Sequence, residues 1–424
     1  MRIAIWHNLP SGGGKRALYD HVKGLLERGH SLESWCPPTA DQTYLPLSDL
    51  IKENVVPLAQ PTERSDFVGS LFNSYQKIVD SINAMHHHSQ QCANEINHAG
   101  FDILLANSCK FFHAPVIGQY ITIPKVVYLG EPYRPFYEAM PQLPWLALSP
   151  PNRAWWSSPR YLRRFLKNLI EVQGLRVQAR EELGNIKAFD LILVNSLFSR
   201  ESVQRAYGLD SKVCYLGIDS DIFKPLNLAR NNIVVGLGSI NGVKGLERAV
   251  KAIATIDKDK RPSLIWIGNF SDTIYQNQIE KLALSLGVNF VPKVKISDQE
   301  LISLLNQASV MIYTSILEPF GLSPLEANAC ETPVVAIAEG GVRESIKDGI
   351  NGFLINGNQP VEMGRAISRL LRDKELAYRM GKQARSHVLE NWSLDTAIER
   401  LEESLLNLTK EAKIINPILA SISS

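Results

Sequence analysis

The stretch Glu318-Pro319-Phe320-Gly321-Leu322-Ser323-Pro324-Leu325-Glu326 collects residue types that suit a phosphate flanked by hydroxyls. Glu318 precedes a proline, which pushes its backbone away from helix toward an extended form. Gly321 permits a tight turn. Ser323 is a good helix N-cap, and Pro324 suits the first helical position, where its missing N–H costs nothing. The pattern predicts a helix running from Pro324 through Cys330. The amides of Gly321, Leu322 and the first turn would then point out of a helix start, which is a ready site for an anion. Carboxylates do not bind phosphate, but Glu318 and Glu326 can accept hydrogen bonds from hydroxyls. Phosphate in the middle and hydroxyls on both sides describe a sugar nucleotide. A plainer reading stands beside this one: Ser323 and Glu326 form a capping box, in which Glu326 serves only its own helix.

The longer run decides between them. EPFGLSPLEANAC, then TPVVAIAEGGVRESI, then DGINGFLI resembles the donor-site signature of retaining glycosyltransferases of family 4, the glycosyl transferases group 1. Glu318 and Glu326 stand as its E-x7-E pair. The resemblance implies the α/β GT-B fold: two Rossmann-like domains facing across a cleft, with a C-terminal helix crossing back to the first. It also implies roles. Glu326 would accept ribose hydroxyls, Glu318 would contact the sugar, and the Gly321 and Leu322 amides would take the diphosphate.

Two strand–glycine–helix units must position these groups. Ile3 to Trp6 reads as a buried strand, Pro10 to Gly14 as a loop, and Ala17, Leu18, Val22, Leu25 and Leu26 as one face of a helix. Gly14-Lys15 is not a nucleotide phosphate loop, because Leu9 stands where that motif needs its first glycine and Arg16 where it needs Ser or Thr. By resemblance, Gly12, Gly13 and Gly14 form the family's first glycine loop, near the donor phosphates; otherwise they form a turn without a ligand. The second unit runs from Ile233 to Leu237 through Gly238 to Gly245, into a helix with Leu246, Ala249, Val250 and Ile253 on one face. The family places an arginine five residues before a lysine on the diphosphate. Lys244 is present, but Ser239 occupies the arginine position. A charge-assisted hydrogen bond is worth ~1.5–3 kcal/mol, so its loss weakens donor binding without abolishing the site. Arg343, Lys15 or Arg16 would supply the missing charge. A lysine at a helix start opposes the helix dipole, which favours a ligand-driven reason for Lys244 over a surface one.

The chain departs from the pattern elsewhere in both domains. Gly130 stands where relatives carry a histidine near the sugar, leaving Glu131, Tyr133 and Arg134 as acceptor candidates. Glu331 replaces a usual glycine at the exit of the motif helix, so its backbone there would differ. Asp219-Ser220-Asp221 looks like a metal-binding D-x-D but fits better the segment that ends the first domain, so no metal and no cofactor beyond the donor substrate are expected. His86-His87-His88 reads as a solvated helix face. Residues 159–167 mix basic and apolar side chains at helical spacing. They would suit a membrane surface or an anionic acceptor, or simply a solvated basic face over an apolar core contact.

Composition sets the outer bounds. A chain of 424 residues exceeds one ordinary core. A net charge of +2 implies no nucleic-acid partner. Five scattered cysteines without C-x-x-C spacing suggest a reducing compartment and no structural zinc. No apolar run approaches a signal peptide or membrane span. These features point to the cytoplasm, with the inner face of the membrane and peripheral association left open; the first domain carries an insertion at about 135–185. The expected domains are residues 1–225, on the acceptor side; 226–392, holding the nucleotide sugar; and 393–424, returning to the first. The reading is a retaining hexosyltransferase using a GDP- or UDP-linked donor and a glycan, lipid-linked or small-molecule acceptor. A nucleotide-sugar-binding protein without transferase activity and a sugar-nucleotide epimerase are the alternatives. Donor base, acceptor, linkage and oligomeric state stay open.

Overall fold

Short apolar runs bounded by glycine loops form the strands. Ile3, Ala4, Ile5 and Trp6 are fully buried, as are Val334 through Ile337, which is what parallel strands covered on both faces require. The computed structural model describes residues 1–61, 69–138, 143, 145–147, 156 and 158–422. Most of 139–157, the Pro- and Trp-rich part of the insertion, therefore lies outside the described residues.

The chain divides into two compact units. One comprises 1–194, 200–213 and 401–424; the other comprises 195–199 and 214–400. The chain passes into the second unit at Cys214, upstream of Pro225. The first unit holds a parallel sheet of β1 (Arg2–Asn8), β2 (Ser31–Cys36), β3 (Lys52–Val55), β4 (Ile103–Cys109), β5 (Lys125–Tyr128), β6 (Leu191–Val194) and β7 (Lys212–Val213). Their order is β3-β2-β1-β4-β5-β6-β7. The helices of this half are α1 (Gly13–Glu27), α2 (Gly69–His98), α3 (Pro159–Lys187) and α4 (Leu197–Tyr207). The second sheet contains β8 (Asn231–Leu237), β9 (Ser263–Gly268), β10 (Phe290–Val294), β11 (Ala308–Tyr313), β12 (Val334–Ile337) and β13 (Gly352–Ile355), in the order β10-β9-β8-β11-β12-β13. Its helices are α5 (Leu246–Ala254), α6 (Thr273–Ser285), α7 (Asp298–Gln307), α8 (Leu322–Ala329), α9 (Val342–Ser345), α10 (Pro360–Arg372) and α11 (Lys374–Asn391). The last helix, α12 (Leu394–Ile422), begins in the second unit and joins the first from Leu401 onward. There Glu402 accepts hydrogen bonds from Arg28 at 2.9 Å and pairs with His30 at 2.7 Å.

Both sheets are doubly wound, and each reverses direction once: between β1 and β4, and between β8 and β11. Ligands of such sheets sit at the carboxyl ends of the strands flanking that reversal. The second reversal is where the loops carrying Lys244 and Glu318 emerge.

Local expectations were altered in two places. The histidine triplet is not a solvated face: His87 is exposed, but His88 is buried, accepting from Trp6 Nε1 at 3.3 Å, and His86 pairs with the Tyr120 hydroxyl at 2.6 Å. A thirty-residue helix with a wide packed face leaves little of three consecutive residues in water. Glu331 preserves the turn expected of glycine. It holds φ 59°, and Thr332 N–H donates to Ala327 O at 2.9 Å, the closing bond of a left-handed helix exit.

Candidate functional site

The nine-residue motif opens with an irregular turn after β11 and leads into α8. The helix starts at Leu322, two residues before the position expected for Pro324, and Gly321 is its N-cap at φ 92° with no side-chain cap. Ser323 therefore sits inside the first turn rather than capping it, and the capping box is not formed. A glycine is needed here twice over: its φ is left-handed, and a Cβ would lie 2.8 Å from the Tyr313 hydroxyl. With glycine as the cap, the cap residue offers the first amides of α8 no side-chain acceptor, and they carry the positive end of the helix dipole.

The turn is braced from below by the next loop. Gly341 N–H donates to Glu318 O at 2.9 Å, and a Cβ on Gly341 would fall 2.1 Å from Pro319 O. Any larger residue would push the Glu318 segment out of position. Arg343, exposed on α9, donates from Nε to Gly340 O at 3.1 Å.

Lys244 approaches from the loop after β8. Residues Gly242–Lys244 form a single 3-10 turn, which Gly245 ends at φ 70° before α5 begins. Thr314 Oγ1 donates to Lys244 O at 3.0 Å, tying this loop to the end of β11. The Lys244 ammonium then donates to both oxygens of Glu318, at 2.7 and 2.8 Å. The two side chains are 23% and 21% exposed, so the pair is neither buried nor freely solvated. Sequence reasoning gave the two residues separate ligands; the structure joins them directly. Ser239 lies on the same loop, and Trp266 Nε1 fixes the preceding Gly238 by donating to its carbonyl at 2.9 Å.

Glu326 is 5% exposed in the body of α8. The far end of α8 is held by two guanidinium groups. Arg230 donates to the carbonyls of Cys330 and Glu331 at 2.7 and 3.0 Å, and Arg385 donates to Ala329 O at 3.0 Å. Cations at the carbonyl end complement the dipole whose positive end faces the Gly321 turn. Neither arginine, nor Thr314, stood out in the sequence, because each acts on a backbone distant in the chain.

The remaining candidates belong to the first unit. Gly12 caps α1 at φ 138° without a side-chain bond, and α1 starts at Gly13, followed by Gly14. Lys15 is fully buried, and its Nζ has no hydrogen-bond partner among the described residues; burial lowers its pKa despite the Glu53 carboxylate nearby. Beside it, at the strand ends, His7 Nε2 meets Glu53 Oε1 at 2.9 Å, and Cys36 Sγ lies 3.7 Å from the same oxygen. Arg16 stacks over the Tyr44 ring at 5.7 Å. Of the loop after β5, Arg134 pairs with Glu131 at 3.2 Å and with Glu138 at 2.6 Å, while Tyr133 N–H donates to Tyr207 Oη. His113, which sequence reasoning passed over, packs edge-on against Tyr133 with Nδ1 3.3 Å from Glu131 O. Burial pushes His113 down to about 4, so it is a neutral imidazole.

Residues 218–387 match the family model described as glycosyl transferases group 1. The D-inositol 3-phosphate glycosyltransferase of Streptomyces griseus is 28% identical over 251 residues, 50% of this chain and 52% of that protein. The human alpha-1,3/1,6-mannosyltransferase ALG2 is 29% identical over 240 residues, 50% of this chain and 57% of its own. The chain thus spans about half the length of the curated relatives it matches. Among solved structures, Anabaena HepE in complex with UDP and glucose superposes with a TM-score of 0.65 at 19% identity, covering 95% of this chain and 98% of that one. Sucrose-phosphate synthase from Thermosynechococcus elongatus reaches 0.70 at 18% identity, covering 97% and 99%. At such identities these similarities concern the fold, which is GT-B.

Proposed function

We propose that the chain, whose residues 218–387 match the family model of the glycosyl transferases group 1, is a retaining glycosyltransferase. It moves a hexose of mannose or glucose type from a GDP- or UDP-linked donor to a glycan, lipid-linked or small-molecule acceptor, at the cytoplasmic face of a membrane. One observation carries the reading: a lysine and a carboxylate from two different loops meet at the reversal of the second sheet, beside a helix start capped by glycine alone.

Glycosyl transfer separates charge, leaving a cationic sugar carbon and a departing diphosphate. Stabilising that diphosphate is the largest contribution the protein can make. Lys244 and the Gly321 and Leu322 amides supply fixed positive charge for it, so no metal or further cofactor is needed. Arg343, exposed one loop away from Glu318, supplies the charge that Ser239 lacks. Glu326 takes the ribose hydroxyls. When a donor enters, Lys244 exchanges Glu318 for phosphate oxygens, and the freed carboxylate turns to the sugar hydroxyls. The departing phosphate takes the acceptor proton. Support for the donor class comes from HepE, solved with UDP-glucose, and from ALG2, named as a mannosyltransferase.

A hydrolysis screen tests this. The chain is incubated with UDP-glucose, UDP-galactose, UDP-N-acetylglucosamine and GDP-mannose, with and without chelator. Slow release of nucleotide diphosphate from one donor, unaffected by chelator and with the α-anomer retained by NMR, is the expected result. Nucleotide binding without hydrolysis or transfer would overturn it in favour of a binding protein, and an epimerised sugar in favour of an epimerase.

A further inference from the structure

The two halves of α3 differ in what surrounds them. The second half packs within its unit: Glu182, Asn185 and Ile186 are buried, and a Cβ on Gly174 would lie 2.7 Å from Ile78 Cδ1 of α2. No residue of 159–169 is buried. Leu162, Leu166 and Leu169 are 38%, 40% and 49% exposed, and Tyr161 is 39% exposed. Leu162, Phe165, Leu166 and Leu169 recur at i, i+3, i+4 and i+7, so they form one apolar stripe. Arg160, Arg163, Arg164 and Lys167 repeat the same spacing two residues earlier. At 3.6 residues per turn this offset carries them to the opposite side of the helix. No Asp or Glu occurs between Glu138 and Glu171.

A helix that packs on a core does not leave its leucine stripe in water. An interfacial helix, apolar on one side and basic on the other, does so until it meets a membrane. The charge selects the partner. A second copy docking stripe to stripe would leave the arginines and lysine on the outer faces without any counter-charge, whereas the headgroups of an anionic surface neutralise them. No helix of the described residues is long and apolar enough to cross a bilayer, so the contact is one of surface.

We propose that the first three turns of α3 dock into the surface of an anionic bilayer. The stripe of Leu162, Leu166 and Leu169 enters among the acyl chains. Arg160, Arg163, Arg164 and Lys167 extend along their stems toward headgroup phosphates. The segment is about 16 Å long, enough to lie in the interface and too short to span it. This deepens the lipid-linked reading of the acceptor and rests on that reading for its purpose, while the docking chemistry itself requires no donor.

The test is cosedimentation of the full chain with vesicles of phosphatidylcholine alone and of phosphatidylcholine mixed with phosphatidylglycerol. Binding is expected only to the mixed vesicles, and it should weaken as salt rises. Leu162→Glu with Leu166→Glu should abolish it. Arg160→Ala with Arg164→Ala should weaken it roughly 25-fold, at about five-fold per charge. Both double variants should keep the melting temperature of the parent, since all four side chains are exposed. Equal binding to neutral vesicles, or unchanged binding by the leucine variant, overturns the proposal. So does a parent that ignores vesicles but forms a dimer, by sedimentation, which the leucine variant dissolves. Vesicle binding without hydrolysis of any sugar nucleotide would leave this proposal standing and remove the transferase reading; the reverse pattern would do the opposite.

Discussion

Replacing Glu318 by Gln should tighten the binding of a free nucleotide diphosphate while it lowers sugar transfer. The Lys244 ammonium is engaged by Glu318, at 2.7 and 2.8 Å from its two oxygens. A diphosphate must displace that carboxylate before it gains the lysine. At an effective dielectric of about 20, the Coulomb attraction at this separation is about 6 kcal/mol. Partial exposure of both groups, desolvation and side-chain ordering offset most of that, leaving a net ~1–2 kcal/mol. Glutamine keeps the shape and removes the charge, so UDP or GDP should bind about ten-fold more tightly, as 1.4 kcal/mol is one decade. Lys244→Met should move the affinity the other way, most strongly at low salt, where the charge is least screened. Isothermal titration with UDP and GDP at two ionic strengths measures both effects, and turnover of the matching sugar nucleotide gives the loss of transfer. If Glu318→Gln leaves diphosphate affinity unchanged or weaker, the exchange of partners at Lys244 is wrong, and Glu318 must contribute to binding the nucleotide itself.

Three further outcomes follow from local geometry. Gly341→Ala should lower transfer by at least ten-fold, because its Cβ would sit 2.1 Å from Pro319 O and displace the Glu318 turn; wild-type kinetics in a folded variant would contradict the bracing role. Glu331→Gly should raise stability by about 0.5–1 kcal/mol in denaturant melts, since a left-handed φ costs a non-glycine residue about 1–2 kcal/mol and the lost pair with the half-exposed Lys382 is worth less. Glu182 should make stability depend on pH. Burial pushes its carboxyl up to about 7, against the pull of hydrogen bonds from Tyr207 and the Ala114 amide. A carboxyl raised on folding binds its proton more tightly in the native state. The benefit is full below the unfolded value near 4.5 and is lost as pH rises toward 7. The change is roughly 3 kcal/mol over that window. Glu182→Gln should flatten the profile there, as read by chemical denaturation at each pH.

The elements and the motif can be read from the order of residues. Runs such as Ile3–Trp6 and Val334–Ile337, broken by glycine loops, specify buried parallel strands because apolar burial and backbone freedom are properties of neighbouring residues. The glycine turn and Glu318–Glu326 spacing were legible for the same reason. What those residues face depends on the folded arrangement. Lys244 and Glu318 lie 74 residues apart, and only the reversal of strand order between β8 and β11 brings their loops together. The same holds for Arg230 at the far end of α8, for His113 against Tyr133, and for His88, which looked solvated until Trp6 covered it. The start of α8 at Leu322 instead of Pro324 has the same origin: the loop of Gly340 and Gly341 fixes the Glu318 turn, and Gly321 alone can follow it into the helix. Local preference is summed along the chain, but charge pairing and burial depend on distance in space, and that distance exists only once the sheets have closed.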